Sequence, residues 1–494
     1  MRVTINLLLC LCTSLLFAQN EDDMLRLMQT DLHGSARTDG MAGSFGALGA
    51  DISTMQINPG GMGRYSSSQF GMSLHNNYTE SVGIYNDSSS SINSNDVSIG
   101  TFGFVLTGDA SRENKGRVFR QFTFSYNRLK NFNMQRRYEG QNFNSLLDVF
   151  ANSGSGIPIE EISNARPFST EIGLNTDAIF YDSDNFSYYP NLTNGDMYHE
   201  REINASGGLG EFHLGYSENY MNKLYWGISL GIRNVNYSHK ITHTETLLEP
   251  NALPEWSTLE SFTYEQELEV KGRGYNFKGG FLYLPKEELR FGFAFESPTF
   301  HNLSETFMAT MTAYHEHEVL TVPEELIPFS EFGYRVRTPM KLRGSLAYIF
   351  DLRGAINFDV ELMHYGRGRF GAHPSGIYGS YDFEFENELI SDLFRPVANI
   401  RVGGELLVTQ HIYLRGGLGW LPNPFKRSVV DDLSANKTYA LGIGWERDKI
   451  NIDLAYRNLV RFEDYYAFDP SDISNRSVFE NNSHIITLSI NYRF

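Results

Sequence analysis

The chain has 494 residues, a formal net charge of −18 and only two cysteines, Cys10 and Cys12. An acidic balance of that size argues against a nucleic-acid partner, which needs a basic face. No cysteine follows Cys12, so the rest of the chain has no disulfide framework and no cysteine metal site.

Met1–Ala18 reads as a secretory signal peptide. Arg2 supplies the positive start, Leu7–Leu16 the apolar stretch, and Leu16-Phe17-Ala18 an approximate cleavage site before Gln19. The apolar run is shorter than the ~20 residues of a spanning helix, and Leu9 and Leu11 stand where a lipoprotein cysteine would want a small neighbour. Glu21–Thr30, EDDMLRLMQT, opens with acids and gathers Met24, Leu25, Leu27 and Met28 on one side, which predicts a short helix. Between Gly34 and Gly63 the pattern changes. Gly40, Gly43, Gly46 and Gly49 recur at every third position, and Asn58-Pro59-Gly60-Gly61 closes the segment with a turn. Glycine this dense gives little propensity of its own. The residues between are apolar, among them Met41, Phe45, Leu48, Ile52, Met55 and Ile57, so surrounding structure must hold them. Residues 19–65 are therefore expected to form a helix and a plug, and residues 66–494 the wall around it.

From Ser68 onward the period is two. In the last strand Ile486, Leu488, Ile490, Tyr492 and Phe494 alternate with Thr487, Ser489, Asn491 and Arg493, and the runs 450–457, 224–233, 289–296 and 341–350 repeat the pattern. A soluble sandwich alternates in the same way. Length, repetition to the final aromatic residue and an aromatic content of 14% favour a transmembrane antiparallel β-barrel. A mean hydropathy of −0.34 does not oppose this, because half of each strand faces the lumen. Allowing roughly 25 residues per strand and turn gives about 14 strands, an even number as barrels require. Thr409-Gln410 and Asp448-Lys449 read as periplasmic turns, and the polar stretches Asp87–Asp96, Thr244–Thr258, Gly366–Tyr378 and Phe462–Asn482 as outer loops. Residues 139–209 read as an extracellular insertion with short helices at Phe143–Ala151 and Ile157–Ile162, too poor in apolar mass for a core of its own.

Ser35-Ala36-Arg37-Thr38, the run Gly40–Gly49, Asp51 and Asn58-Pro59 resemble the hatch of the FadL family of outer-membrane transport proteins (the toluene-transporter type, in its Bacteroidetes form). Glu296-Ser297-Pro298-Thr299, Thr338-Pro339-Met340-Lys341-Leu342, Gly403-Gly404-Glu405, Leu414-Arg415-Gly416-Gly417 and Ala455-Tyr456 extend the resemblance over the chain. It implies a fourteen-stranded barrel with an N-terminal hatch, whose asparagine-proline-alanine turn is Asn58-Pro59-Gly60 here. Glycine in place of alanine suggests a weaker packing contact. It also implies a lateral exit beside a kinked third strand, near Val118–Leu129, although no proline or glycine lies within Phe119–Leu129.

The function implied is passive, hatch-gated uptake of hydrophobic or amphipathic small molecules, of long-chain fatty acid or aromatic type. The protein would be a monomer in the lipid and lipopolysaccharide of a Gram-negative outer membrane, with no cofactor, no metal and no nucleic acid. The alternatives are a protein-binding barrel of a secretion system and a surface receptor or adhesin acting through its outer loops. Gly40, Gly43, Gly46, Gly49, Asn58, Pro59, Gly60 and Gly61 are the gate candidates, against a static plug whose glycines only permit close packing. Phe45, Leu48, Ile52 and Met55 are the ligand-contact candidates. The ladder is no dinucleotide fingerprint, since its spacing differs and no strand precedes it. His315-Glu316-His317 would put two histidines on one strand face, but no third ligand is apparent. Asp182-Ser183-Asp184 and Asp431-Asp432 read as solvated acids. His213, His239, His364 and His484 show no readable serine partner, which speaks against a hydrolase. Arg233, Arg290, Lys341, Arg343 and Arg457 face the lumen, where pairing with acids is favoured over contact with a ligand head group.

Overall fold

Period-two alternation from Ser68 onward folds into antiparallel strands, each paired with its neighbour in the chain. The computed structural model describes residues 21–111, 116–192, 197–248, 257–351, 353–376, 381–426, 434–467 and 476–494. The leader and Asp431-Asp432 lie outside the described residues.

The wall begins with β1 (Gln69–Tyr85), β2 (Ser88–Asp109) and β3 (Arg117–Asn131, resuming as Met134–Asn142). It continues through β4 (Met197–Tyr220), β5 (Leu224–Leu247), β6 (Leu259–Tyr283) and β7 (Leu289–Glu296, resuming as Phe300–His315). Next come β8 (Phe329–Arg337 and Lys341–Phe350), β9 (Gly354–His364 and Arg369–Ala372) and β10 (Pro396–Leu407). The last are β11 (Ile412–Leu421), β12 (Asn436–Arg447), β13 (Ile450–Tyr466) and β14 (Arg476–Arg493). β14 pairs back onto β1 from Gln69↔Arg493 to Tyr85↔Ser477, so the fourteen-stranded barrel is closed. Closure pairs each strand with a neighbour on both sides except at the local interruptions described below, which is what allows strands to stand in lipid.

The outward face is an apolar belt. Leu230, Leu441, Ile443, Leu454, Leu488 and Ile490 are exposed, with Trp445, Tyr348 and Tyr492 towards one rim and Trp420 and Tyr439 towards the other. A belt of this kind between aromatic girdles is the signature of a barrel in an outer membrane. Leu441 is 66% exposed near its middle. We expect Leu441→Arg to destabilise the barrel by about 2–4 kcal/mol, read from urea unfolding in lipid bilayers, because the cation is then forced into hydrocarbon.

The outer loops are shorter than the polar stretches suggested. β1 and β2 meet at a tight turn with Asn86 at φ 51°, and residues 88–96 continue β2 as strand. Likewise Thr244–Leu247 belong to β5, Phe462–Tyr466 to β13 and Arg476–Asn482 to β14. Polarity there marks strand that has left the bilayer. The insertion follows the same rule, since β3 runs to Asn142 and β4 starts at Met197. Between them lie the helices Leu146–Gly154, Ile159–Ala165 and Thr170–Leu174 and a hairpin pairing Ile179–Asp182 with Ser187–Pro190. Their apolar residues do find a core: Leu147, Phe150, Ile162 and Ile172 pack onto Phe262, Tyr264 and Met311 from the inward faces of β6 and β7.

Two features interrupt the wall. β7, β8 and β9 break side by side, the first two at Pro298 and Pro339, which carry no N–H for the ladder. β3 is bent despite having no proline or glycine in its lower arm. Its register with β4 slips between Arg128 and Lys130, and the strand breaks at Phe132-Asn133. The glycine is on the neighbouring strand. Gly207 of β4, at φ +106°, accepts from Phe132 N–H and donates to Asn133 Oδ1.

Candidate functional site: the hatch, the chamber above it and the seam beside it

The low-propensity glycine segment is held by the wall, as its composition requires. Residues 34–65 form short helices at Ala36–Asp39 and Thr54–Ile57 and a 3-10 turn at Pro59–Arg64, nearly all buried within the barrel. The gate candidates divide into two kinds. Gly43 and Gly49 have positive φ (78° and 74°), so they make the turns. Gly40, Gly46 and Gly60 make close approaches. A Cβ on Gly40 would lie 3.1 Å from Gly442 Cα, and one on Gly46 would lie 2.0 Å from Ser345 Oγ. A Cβ on Gly60 would lie 2.7 Å from Phe281 Cα. The packing at Gly60 is therefore tighter than expected, not weaker: the alanine of the family pattern has no room here. Gly61 packs on the hatch's own Gly49. Asn58 secures the turn, with Nδ2 donating to Gly46 O (2.8 Å) and Phe281 O (3.2 Å) and Oδ1 accepting from Gly60 N (3.1 Å). Pro59 passes over Gly227 of β5, where a side chain would strike its carbonyl.

Most of the lumen cations turn out to grip this segment. Arg290, Arg343 and Arg457 donate to the carbonyls of Leu48 (3.3 Å), Ile57 (2.9 Å) and Leu32 (2.9 Å), and Lys341 donates to Thr30 Oγ1 (2.7 Å). Acid pairing, as expected for lumen charges, holds as well: Arg343 pairs with Glu361, Arg457 lies 3.7 Å from Asp39, and Arg233 joins Lys278, Glu211 and Glu296 in a buried ion cluster. Sequence alone gave no sign of the grip on the N-terminal segment, because three of the four acceptors are backbone carbonyls. Phe45 and Leu48 pack on Tyr225, Leu282 and Ala347, while Ile52 and Met55 pack near Val105. These four ligand-contact candidates lie in the seam between hatch and wall. One side of the hatch borders a polar space. A cleft of about 220 Å³ there is lined by Arg37, Asp51, Glu405, Arg415, Asp453 and Arg493.

Above the hatch is an apolar chamber. Leu129, Phe132, Leu209, Val235, Leu268 and Val336 project into it from β3 to β8, and Ile390 and Phe394 close it from the side of helix Glu384–Leu393. It is filled by the chain's own N-terminal helix α1 (Glu21–Met28), whose Met24, Leu27 and Met28 are buried in this cluster. Arg26 lies 3.8 Å over the Tyr237 ring. The seam is close by. The β2–β3 ladder stops at Thr101↔Asn127, and beyond it β2 pairs only with β1 among the described residues. Ile99 and Val97, unpaired on the β3 side, are exposed and pair with Leu74 and Asn76 of β1, in the outer half of the belt. The Leu129 carbonyl, out of reach of β2, accepts the N–H of Asp31 (2.7 Å). Burial would raise the Asp31 carboxyl, but its ion pair with Arg461 holds it well below the ordinary range. The segment joining α1 to the hatch is thus bonded to the bent strand. On the lipid side below the seam, Phe104, Leu106, Phe122, Leu214 and Leu230 edge a groove of about 380 Å³.

The remaining candidates separate. His315 is buried at the end of β7, beside Thr258 Oγ1 (3.0 Å) and Thr176 O (2.9 Å), while His317 is exposed in the following turn. They do not share a face, because the strand ends between them. Asp182 accepts from Asp184 N–H (2.9 Å) and Asn185 Nδ2 (3.1 Å), which makes it the corner of a hairpin. His213 has Ser229 Oγ at 3.4 Å, but the adjoining Glu211 is committed to Lys278 and Arg233, and all are buried. His239 sits by Tyr237 OH (2.9 Å) and His484 by Tyr456 OH (2.7 Å), while His364 precedes the break in β9.

No family model matches the chain, and no curated protein is similar to it in sequence. Solved structures do match. The Pseudomonas putida toluene transporter TodX superposes with a TM-score of 0.53 at 13% identity, covering 94% of this chain and 99% of its own. A Pseudomonas aeruginosa FadL homologue gives 0.55 at 12% identity, covering 94% and 98%. At these identities the likeness is one of fold: the chain shares the closed fourteen-stranded outer-membrane barrel, with its N-terminal segment preceding the wall, seen in FadL-type channels.

Proposed function

We propose that the protein is a monomeric outer-membrane channel for passive uptake of hydrophobic or amphipathic small molecules, of the fatty-acid or aromatic kind. The observation that carries this is the apolar chamber occupied by α1, directly above the hatch and beside the unladdered seam. A chamber that accepts Met24, Leu27 and Met28 accepts alkyl chains or aromatic rings on the same terms, at ~25 cal/mol per Å² of apolar area buried. A ligand entering it displaces α1. Displacement pulls on Asp31, hence on Leu129 and the seam at one end and on the glycine hatch at the other. No energy source is needed, since the ligand moves down its own gradient. Both routes out, sideways past Ile99 and inward past the polar cleft beside the hatch, begin at this chamber.

The test is whole-cell uptake in a Gram-negative strain lacking channels of this kind. Expression should raise uptake of labelled toluene or long-chain fatty acid several-fold over empty vector and leave sucrose uptake unchanged. Equal gains for both solutes, or none for either, would overturn the reading. A stoichiometric protein partner on purification would favour the secretion-system alternative. Loss of surface adhesion on deleting residues 143–196, with uptake intact, would favour the receptor.

A further inference from the structure

Outside the chamber and hatch, one cluster of side chains is left without a role. On the outer part of the wall, beneath the helical cap, the inward faces of β4 and β5 carry His199, His243 and Glu245. Register puts His199 directly opposite Glu245, and His243 shares that face two residues earlier on β5. All three are fully buried. Glu245 Oε1 lies 2.8 Å from His243 Nε2 and 3.7 Å from His199 Nε2, and the three donor atoms fall within 4.8 Å of one another.

Two observations point to a cation. The first is charge. A carboxylate with no access to water is strongly disfavoured unless a positive group compensates it. The charge partners of Glu245 are the two imidazoles, and no lysine or arginine of the described residues pairs with it. The Arg201 charge reaches Glu245 from the same layer but makes no ion pair with it, and its guanidinium stands over the Tyr465 ring at 5.6 Å. The second is an orphan atom. His199 Nε2 has no hydrogen-bond partner although it is buried and aimed at Glu245. Its Nδ1 lies 3.2 Å from the Tyr85 hydroxyl, an outer contact that orients a ligating imidazole.

The donor chemistry narrows the ion. Calcium and magnesium want six or more oxygens, many of them waters. Two imidazole nitrogens and a carboxylate suit zinc or a similar borderline divalent ion, bound at ~2.0–2.2 Å with donors roughly 3.4 Å apart. The observed 2.8 and 3.7 Å straddle that spacing. Binding requires neutral imidazoles with Nε2 bare, so His243 must carry its proton on Nδ1. Glu245 also accepts from Ser145 Oγ (2.5 Å) and Leu146 N–H (2.8 Å), at the first turn of helix Leu146–Gly154. We propose that His199, His243 and Glu245 form a zinc-class divalent metal site that fastens the extracellular cap to β4 and β5.

The test uses the full-length protein, folded in detergent, loaded with zinc and then dialysed against metal-free buffer. Elemental analysis should find one zinc per chain, and cobalt in its place should give the visible absorption of a four-coordinate ion. His199→Ala and His243→Ala should each lose the bound zinc, and Glu245→Gln should retain it less tightly. His317→Ala and His411→Ala, at exposed positions, should retain it. Removing the metal from the wild type should speed chymotryptic cleavage within residues 146–192, at sites such as Phe150, Phe168 and Tyr181, several-fold while leaving the barrel's heat-modifiable migration unchanged. The cobalt spectrum and the protease test need no variant, so misfolding of a substituted chain does not decide the matter. Wild-type protein that keeps no zinc, variants that keep as much as wild type, or zinc lost instead with His317→Ala would each overturn the site.

Discussion

Ala36→Cys combined with Ser489→Cys should abolish uptake under oxidising conditions, and reductant should restore it. The Ala36 N–H donates to Ser489 Oγ at 2.6 Å, both residues are small and buried, and no other cysteine follows Cys12 to compete for the bridge. The position is chosen from the energetics of the hatch. Charged hydrogen bonds are worth about 1.5–3 kcal/mol each, so Arg290, Arg343 and Arg457 hold the Leu48, Ile57 and Leu32 carbonyls too firmly for the whole segment to leave the barrel. A local shift on the side facing the polar cleft costs less. There the hatch borders the polar cleft, where Arg37 and Arg415 both reach Glu405 and can exchange partners with water. Ala36 and Ser489 lie on that side, next to Asp39 and its Thr487 partner (2.7 Å). Unchanged uptake in protein shown to be fully oxidised would mean that the hatch is a static plug and that ligand leaves only through the seam. The wall itself should melt no earlier in the bridged form, since the bond joins groups already in contact.

What the sequence disclosed follows from how local each signal is. The wall was legible because alternation along one strand is a one-dimensional pattern: Ile486, Leu488 and Ile490 are exposed to lipid, and Thr487 and Ser489 are buried inward. The burial of residues 34–65 was legible from their glycines, since nothing else explains apolar residues in so poor a helix or strand former. The bend in β3 was not, because its cause, Gly207, is on the neighbouring strand. The polar stretch Asp87–Asp96 misled for a related reason. Polarity reports departure from the bilayer, and β2 goes on as strand beyond it. The clusters need pairing information above all. His199 meets Glu245 across a ladder, and Arg343 meets a backbone carbonyl. The occupant of the chamber was half legible. The amphipathic face of EDDMLRLMQT was clear, but nothing in it said that the face would point into the lumen rather than onto the wall.

That occupant leads to the second large effect. Truncating Met24, Leu27 and Met28 together to alanine should tighten the apparent binding of a hydrophobic ligand by tenfold or more. Removing buried Leu or Met side chains costs about 2–5 kcal/mol each, and the three together exceed what an eight-residue helix can recover from Arg26 stacking on Tyr237, at ~0.5–1 kcal/mol. The helix then leaves the chamber for much of the time. A ligand competing with a bound helix sees its affinity reduced by the fraction of chambers that are free, so a helix docked 99% of the time weakens binding about 100-fold. Undocking it returns that factor. Fluorescent fatty acid titrated into the detergent-solubilised protein would measure it. Leu209→Ala, on the wall of the same chamber, gives the contrast. It removes surface that both occupants use, so it should weaken ligand binding and loosen α1 together. If the triple substitution weakened binding as Leu209→Ala does, α1 would be part of the ligand's wall rather than its competitor. The coupling from chamber to hatch through Asp31 would then have to begin with contraction around the ligand instead of release of the helix.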